Sequence, residues 1–231
     1  MKKKMLLICA ALIGVVSITS AAVTSKNIVG YNKIAGPSGG GFTVIAPSFI
    51  SVLGDDQTFT LNQITGNFAN FDTIQLLDSL GNVESQVYYW AADNEWYDYV
   101  TDDLASDNKY VLGTGMFVYT GPNTFDGTVS GQVDDEDVVL SISSGLSLIG
   151  NSTPVPVTLG DIKFVGLNNF NTIQFLDSAG STYSQAYYWA ADGKWYDYAD
   201  DEEADGWELA PALGFFLYCD GGVTVTIPKP L

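Results

Sequence analysis

Two kinds of side chain carry most of the chemical potential of this chain: carboxylates and the rings of tyrosine and tryptophan. There are 27 Asp and Glu residues, 13 Tyr, five Trp and no histidine. The nine basic residues are all lysines. Without an imidazole, a Ser-His-Asp or Cys-His relay has no general base, and a conventional zinc site lacks its ligands. Without a guanidinium, the bidentate clamp for phosphate or carboxylate is missing. No Walker loop and no dinucleotide-type GxGxxG follows a strand pattern. Paired carboxylates remain, and such pairs hydrolyse glycosides. Asp98 and Asp197 are the candidates, but they occupy matching places in two different halves, and nothing in the sequence brings them together. The expectation is a protein that is not an enzyme.

The aromatic residues concentrate in one motif, YYWAAD-x-x-WYDY, found at Tyr88–Tyr99 and again at Tyr187–Tyr198. Asp192-Gly193 predicts a two-residue type I′ hairpin turn, and Asp93-Asn94 is compatible with one. That register puts Trp90 opposite Tyr97 and Tyr88 opposite Tyr99 on one face. Ala91 opposite Trp96 and Tyr89 opposite Asp98 then occupy the other. The second copy repeats this with Trp189 and Tyr196, and with Tyr187 and Tyr198. Two readings follow. Tyr88, Trp90, Tyr97, Tyr99, Tyr187, Trp189, Tyr196 and Tyr198 form either a buried face or a stacking platform for sugar rings. In the second case Asp98 and Asp197 accept protons from hydroxyls. Most large aromatics are substantially buried, so the expectation places Trp90 and Trp189 in the core.

Acidic loops follow both hairpins. Asp102 and Asp103 stand in the first; Asp200, Asp201 and Glu202, with Glu203 and Asp205, stand in the second. Hard oxygen ligands suit Ca²⁺, although no EF-hand spacing is present. The competing reading is a solvated charge run, with no cofactor at all.

The elements that position these residues are strands. The stretch from Asn70 to Thr120 recurs without a gap 99 positions later, from Asn169 to Cys219, which marks a repeated structural unit. FTVIAPS from Phe42 answers LSLIGNS from Leu146, and TLNQI from Thr60 answers TLGDI from Thr158. TIQLL, QVYYW, WYDYV and GMFVYT are rich in β-branched and aromatic residues between Gly, Asn, Asp and Ser clusters. VVLSIS and VTVTI alternate with a period of two. Only LNQI and LGDI suit a single helical turn. The fold class is all-β: two tandem homologous sandwich-like antiparallel modules, over 23–135 and 136–231, meeting at the acidic run Asp134–Asp137. IVGYNKI and TVSGQV (from Thr128) are read as the opening strands of the two.

Residues 1–22 read as a secretory signal: Lys2, Lys3 and Lys4, the apolar run Met5–Ile18, then Ser20-Ala21-Ala22. Its removal takes three lysines, and the formal charge from −18 to −21. So acidic a chain repels phosphate backbones, which argues against nucleic acid, and nothing after the leader is long and apolar enough for a membrane-spanning helix. Cys9 leaves with the leader and Cys219 remains alone, expected as a small buried residue at a strand end.

Ile28–Tyr31, Leu146–Asn151, Thr172–Asp177, Trp195–Asp197 and Gly214–Tyr218, in this order after a signal peptide, resemble a group of exported bacterial proteins with duplicated β-rich modules. The resemblance spans nearly all of the mature chain. It implies export and a β-rich fold and supplies no activity. The first half departs from it at Ala46-Pro47, where the second has Gly150-Asn151. The leading expectation is a non-enzymatic secreted protein of the cell surface or extracellular matrix, with matrix components as partners. A polysaccharide-binding module pair and a calcium-stiffened surface-layer component are the other two readings. An open aromatic face favours the glycan; a covered one favours structure.

Overall fold

The computed structural model describes residues 29–52, 56–78, 80–122, 124–177 and 179–230. The leader expected at 1–22 lies outside them. The described residues form strands and turns, with two single 3-10 turns among them at Leu61–Gln63 and Leu159–Asp161. These are the TLNQI and TLGDI stretches. In each, the residue at the third position reaches back to the threonine before the turn: Thr60 N–H donates to Gln63 Oε1 at 2.8 Å, and Thr158 N–H to Asp161 Oδ2 at 2.9 Å. That capping box satisfies backbone donors that so short a turn leaves open.

In the first half the strands are β1 (Val29–Ala35), β2 (Gly41–Ile45), β3 (Thr58–Thr60), β4 (Ile64–Gly66), β5 (Thr73–Leu77), β6 (Val83–Trp90), β7 (Glu95–Asp98), β8 (Lys109–Val111), β9 (Met116–Thr120) and β10 (Asp126–Gln132). In the second they are β11 (Val138–Ile142), β12 (Gly145–Gly150), β13 (Val157–Thr158), β14 (Lys163–Val165), β15 (Thr172–Leu176), β16 (Thr182–Trp189), β17 (Lys194–Asp197), β18 (Glu208–Leu209), β19 (Gly214–Cys219) and β20 (Val223–Ile227). A five-stranded sheet β2-β9-β5-β6-β7 is answered by β12-β19-β15-β16-β17. The smaller sheets β1-β10-β4 and β3-β8 are answered by β11-β20-β14 and β13-β18.

One expectation is corrected here. TVSGQV does not open the second half. It lies in β10, between β1 and β4. The strand that answers β1 is β11, because each lies beside the last strand of its half, β10 and β20. Alternation identified both segments as strands, but it carries no information on which neighbour each one finds. The acidic run Asp134–Asp137 falls between β10 and β11, where Asp134 accepts from Gln57 Nε2 at 2.6 Å and Asp137 from Lys229 N–H at 2.9 Å.

The core is sandwich-like. Ile74, Val87, Trp96 and Val118 point inward from the first five-stranded sheet and join Ile34, Ile64 and Val129 of the three-stranded one in a single buried cluster. Phe68 fills the space between, its ring 4.8 Å from Trp96 and 4.9 Å from Phe125. Cys219 ends β19 fully buried, its thiol directed at Ser143 O.

The halves meet through reciprocal contacts. Ile45 bridges to Leu213, and Ile149 to Thr114. Ala46 N–H donates to Ala212 O at 2.9 Å, and Gly150 N–H to Gly113 O at 3.2 Å. Matching residues thus exchange roles, as in a self-complementary two-fold interface. Glycine permits the approach. A Cβ on Gly115 would sit 2.7 Å from Leu148 Cγ, and one on Gly214 2.7 Å from Val44 Cγ1. Among the described residues, no helix is long and apolar enough to cross a membrane.

Candidate functional site

The YYWAAD-x-x-WYDY segments form hairpins, but not with the expected turn. Trp90 pairs with Glu95, Tyr89 with Trp96, Tyr88 with Tyr97 and Val87 with Asp98. The second hairpin follows the same register: Trp189 with Lys194, Tyr188 with Trp195, Tyr187 with Tyr196 and Ala186 with Asp197. The loop is four residues long, closed by Asn94 N–H to Trp90 O and Gly193 N–H to Trp189 O, both at 3.0 Å. Only its last residue is left-handed, with φ 61° at Asn94 and 75° at Gly193. The ladder has therefore slipped by two residues from the type I′ expectation. An even slip keeps every side chain on its face, so the predicted grouping of residues survives while their partners change.

The core expectation for Trp90 and Trp189 is overturned. The buried tryptophans are Trp96 and Trp195, each 2% exposed. They lie on the inner face with Tyr89 and Tyr188, at ring distances of 5.1 and 5.4 Å. Trp90 is half-buried and Trp189 is 37% exposed on the outer face, together with Tyr88, Tyr97 and Tyr99, and with Tyr187, Tyr196 and Tyr198. The motif places aromatics on both faces, and the three-stranded sheet covers only one.

A residue that sequence reasoning missed completes each outer cluster. Phe71 and Phe170 are each 61% exposed and adopt φ of 68° and 65°. A bulky residue rarely takes this conformation, and it costs on the order of 1–3 kcal/mol. An anchored turn holds it. Asp72 accepts from Ala69 N–H at 2.7 Å and Gly121 N–H at 2.8 Å, while Asn70 Oδ1 accepts from Ala91 N–H at 2.7 Å. The result is an aromatic ladder. Phe71, Tyr88 and Tyr97 lie near-parallel, with centroids 5.6 and 5.8 Å apart, and Trp90 and Tyr99 stand edge-on to it. Phe170, Tyr187, Tyr196, Trp189 and Tyr198 repeat the arrangement. The only sequence sign of Phe71 and Phe170 was their place inside the repeat.

Carboxylates lock the ladder at its ends. Tyr88 Oη donates to Asp102 at 3.1 Å and Tyr97 Oη to Asp93 at 2.9 Å. In the second half, Tyr187 donates to Asp201 at 2.9 Å and Tyr196 to Asp192 at 2.6 Å. The bond to Asp192 leads the causes that push the Tyr196 hydroxyl up to about 12, and the Asp201 bond leads in raising Tyr187. The bond to Asp93 does the same for Tyr97, whereas at Tyr88 desolvation leads and the Asp102 bond adds to it. Asp98 and Asp197 do not serve the ladder. Asp98 accepts from the Val100 and Thr101 N–H groups of its own loop, and Asp197 from Ala199 N–H.

The outer face continues across the sheet. Alternation and register put Gln86 and Gln75, a cross-strand pair, beside Tyr88 and Tyr99. Gln185 and Gln174 match them in the second half. Among the described residues no side-chain partner engages these four amides. The period-two spacing of Gln86, Tyr88 and Trp90 was visible in the sequence and placed this glutamine on the aromatic face.

The residues expected as calcium ligands are dispersed. Asp102 and Asp201 hold tyrosines; Asp200 accepts from Glu202 N–H; Asp103 and Glu202 offer their backbone carbonyls to Asp98 and Asp197. Among the described residues, no three acidic, cysteine or histidine groups converge as a metal site. Comparison with known protein families, curated proteins and solved structures finds no match, so the chain's own geometry carries the functional reading.

Proposed function

We propose that this is a non-enzymatic, exported glycan-binding protein of the cell surface or matrix, which engages polysaccharide through the outer faces of its two five-stranded sheets. One observation carries the reading. Between the two halves several buried positions have changed, Leu76 against Phe175, Val87 against Ala186, Met116 against Phe215 and Val118 against Leu217, while Ile74, Tyr89, Trp96 and Ala105 keep identical counterparts. On the outer face Phe42, Val44, Glu84 and Glu95 have changed as well, but its aromatic ladder and amides have not. Phe71, Gln75, Gln86, Tyr88, Trp90, Tyr97, Tyr99 and Tyr119 have identical counterparts 99 residues on, as do Asp93 and Asp102. Core packing tolerates volume-conserving exchange. A solvent-facing aromatic cluster has no packing reason to be kept as strictly as Ile74 and Trp96 of the core, and a ligand supplies one.

The chemistry suits sugars. Aromatic rings offer an apolar body to the C–H face of a pyranose and, in tyrosine, a polar handle beside it. Free glutamine amides both donate and accept, matching hydroxyls that do the same. Tyrosines already fixed by carboxylates lose little side-chain freedom on binding. The acidic surface disfavours anionic polymers, so the ligand class is a neutral polysaccharide. Affinity electrophoresis of the chain in gels containing neutral polysaccharides tests this. Retardation is expected, with loss of retardation in a Trp90→Ala/Trp189→Ala double variant that keeps its melting midpoint. Unaltered migration in every neutral polymer overturns the reading.

A further inference from the structure

We infer that the two outer faces are unequal sites, and that the second is elongated to hold an internal stretch of neutral polysaccharide chain. This rests on the glycan reading. The observation lies at the far end of β6 and β16, where both strands carry a β-bulge. Leu76 pairs with Ser85 and Leu77 with Val83, leaving Glu84 outside the ladder. Phe175 pairs with Ser184 and Leu176 with Thr182, leaving Tyr183 outside it. A bulge re-aims the side chain it expels. In the first half that side chain is a carboxylate; in the second it is a tyrosine, 63% exposed.

Tyr183 shares an open cleft of about 350 Å³ with Gln185 and Tyr198, both members of the outer face, and with Thr182, Ser184 and Asp197. Each of these six side chains carries a hydrogen-bonding group, and the tyrosines add ring surface. The Tyr183 ring lies against Phe175, with centroids 6.2 Å apart. The strand between it and Trp189 spans somewhat under about 20 Å at the usual rise, because of the bulge, room for more than one sugar unit. The near end differs too. Opposite Trp189 stands Lys194, neutralised by Glu203 at 2.5 Å, whereas opposite Trp90 stands Glu95, one of whose carboxylate oxygens is buried with no hydrogen-bond partner. The first face is thus bounded by carboxylates at both ends, at Glu84 and Glu95. The second runs on past Tyr198 into a hydroxyl-lined cleft. A chain that continues in both directions fits the second face; a short segment fits the first.

Calorimetry of the full chain with a graded series of neutral gluco-oligosaccharides separates the cases. Affinity is expected to rise with length. Tyr183→Ala is expected to weaken the longest members about tenfold, in line with the loss of one ring-stacking contact, and to leave the shortest unchanged. Glu84→Tyr is expected to strengthen binding of long members. Tyr183→Phe, which keeps the ring, is expected to retain most of the length dependence. If oligosaccharides bind but Tyr183→Ala and Glu84→Tyr leave every affinity unchanged, the inequality of the two faces is wrong while the glycan reading stands. If no member binds, the inference falls; the glycan reading falls with it only if every neutral polymer also leaves migration unaltered.

Discussion

The rings of Phe117 and Phe216 meet with centroids 5.7 Å apart and planes at 54°. The two residues occupy matching positions of the two halves, so the outer faces of the two five-stranded sheets touch each other at one edge. The aromatic ladders lie on these same faces, toward the opposite edges. One surface thus serves two purposes along its width: a phenylalanine contact near the partner half, and the ladder of phenylalanine, tyrosine and tryptophan where it is open to solvent.

The close approach beside that contact depends on glycine. Gly115→Ala places a methyl group 2.9 Å from the Leu148 carbonyl carbon as well as 2.7 Å from its side chain, and backbone cannot move aside cheaply. Overpacking of this kind typically costs about 1–3 kcal/mol. Chemical denaturation of Gly115→Ala and Gly214→Ala is expected to show a loss in that range, whereas Gly206→Ala, which meets nothing within 4 Å, is expected to show little change. Equal midpoints for all three would contradict the interface.

The four tryptophans of the hairpins fall into two classes. Trp96 and Trp195 are buried against aromatic neighbours. Truncation of either to alanine is expected to cost ~3–5 kcal/mol, a large share of a domain's stability. Trp90→Ala and Trp189→Ala are expected to cost far less and to weaken glycan binding instead. Thermal melts run beside affinity gels read both effects; large destabilisation by Trp189→Ala would return that residue to the core.

The hairpin loop makes a narrower claim. Position 193 is left-handed and its counterpart Asn94 holds the same conformation, which asparagine tolerates and β-branched residues resist. Gly193→Val is expected to lower stability by ~1 kcal/mol or more, and Gly193→Asn to be nearly neutral. A melting midpoint unaffected by valine would count against the loop geometry.

The tyrosine–carboxylate pairs predict an alkaline signature. The Tyr196 hydroxyl is raised from 10.0 to about 12 by its bond to Asp192, and Tyr88, Tyr97 and Tyr187 move in the same direction. A group raised in the folded state contributes stability that is complete below its unfolded value and lost as pH climbs through its folded one. Stability is therefore expected to be level below about pH 10 and to fall above it. In a phenolate absorbance titration these tyrosines are expected to ionise late, and Asp192→Asn to bring one of them back toward its ordinary value. An Asp192→Asn curve identical to that of the parent would remove the bond from the account.

Strand segments and the sets of residues sharing a face were legible in the sequence, because a period of two is a local property of extended chain. That is why Tyr88, Trp90, Tyr97 and Tyr99 were grouped correctly even though the turn was not. The four-residue loop and the two-residue slip escaped, since Asp-Gly and Asp-Asn suit more than one hairpin closure and the competition is settled by pairing along the whole ladder. The calcium reading rests on composition, and composition does not reveal that Asp102 and Asp201 each accept from a tyrosine hydroxyl.

What the sequence determined by itself was an all-β chain with matching halves and an aromatic hairpin in each. Which side of that hairpin meets water was decided only by the tertiary structure. Both sides carry large rings, so neither hydrophobicity nor alternation distinguishes them; the choice belongs to the second sheet, which covers Tyr89 and Trp96 and leaves Tyr88 and Trp90 uncovered. The same holds for Phe71. Its exposure and left-handed backbone follow from Asp72 and Asn70 reaching Gly121 and Ala91, contacts 49 and 21 residues apart that no local pattern records.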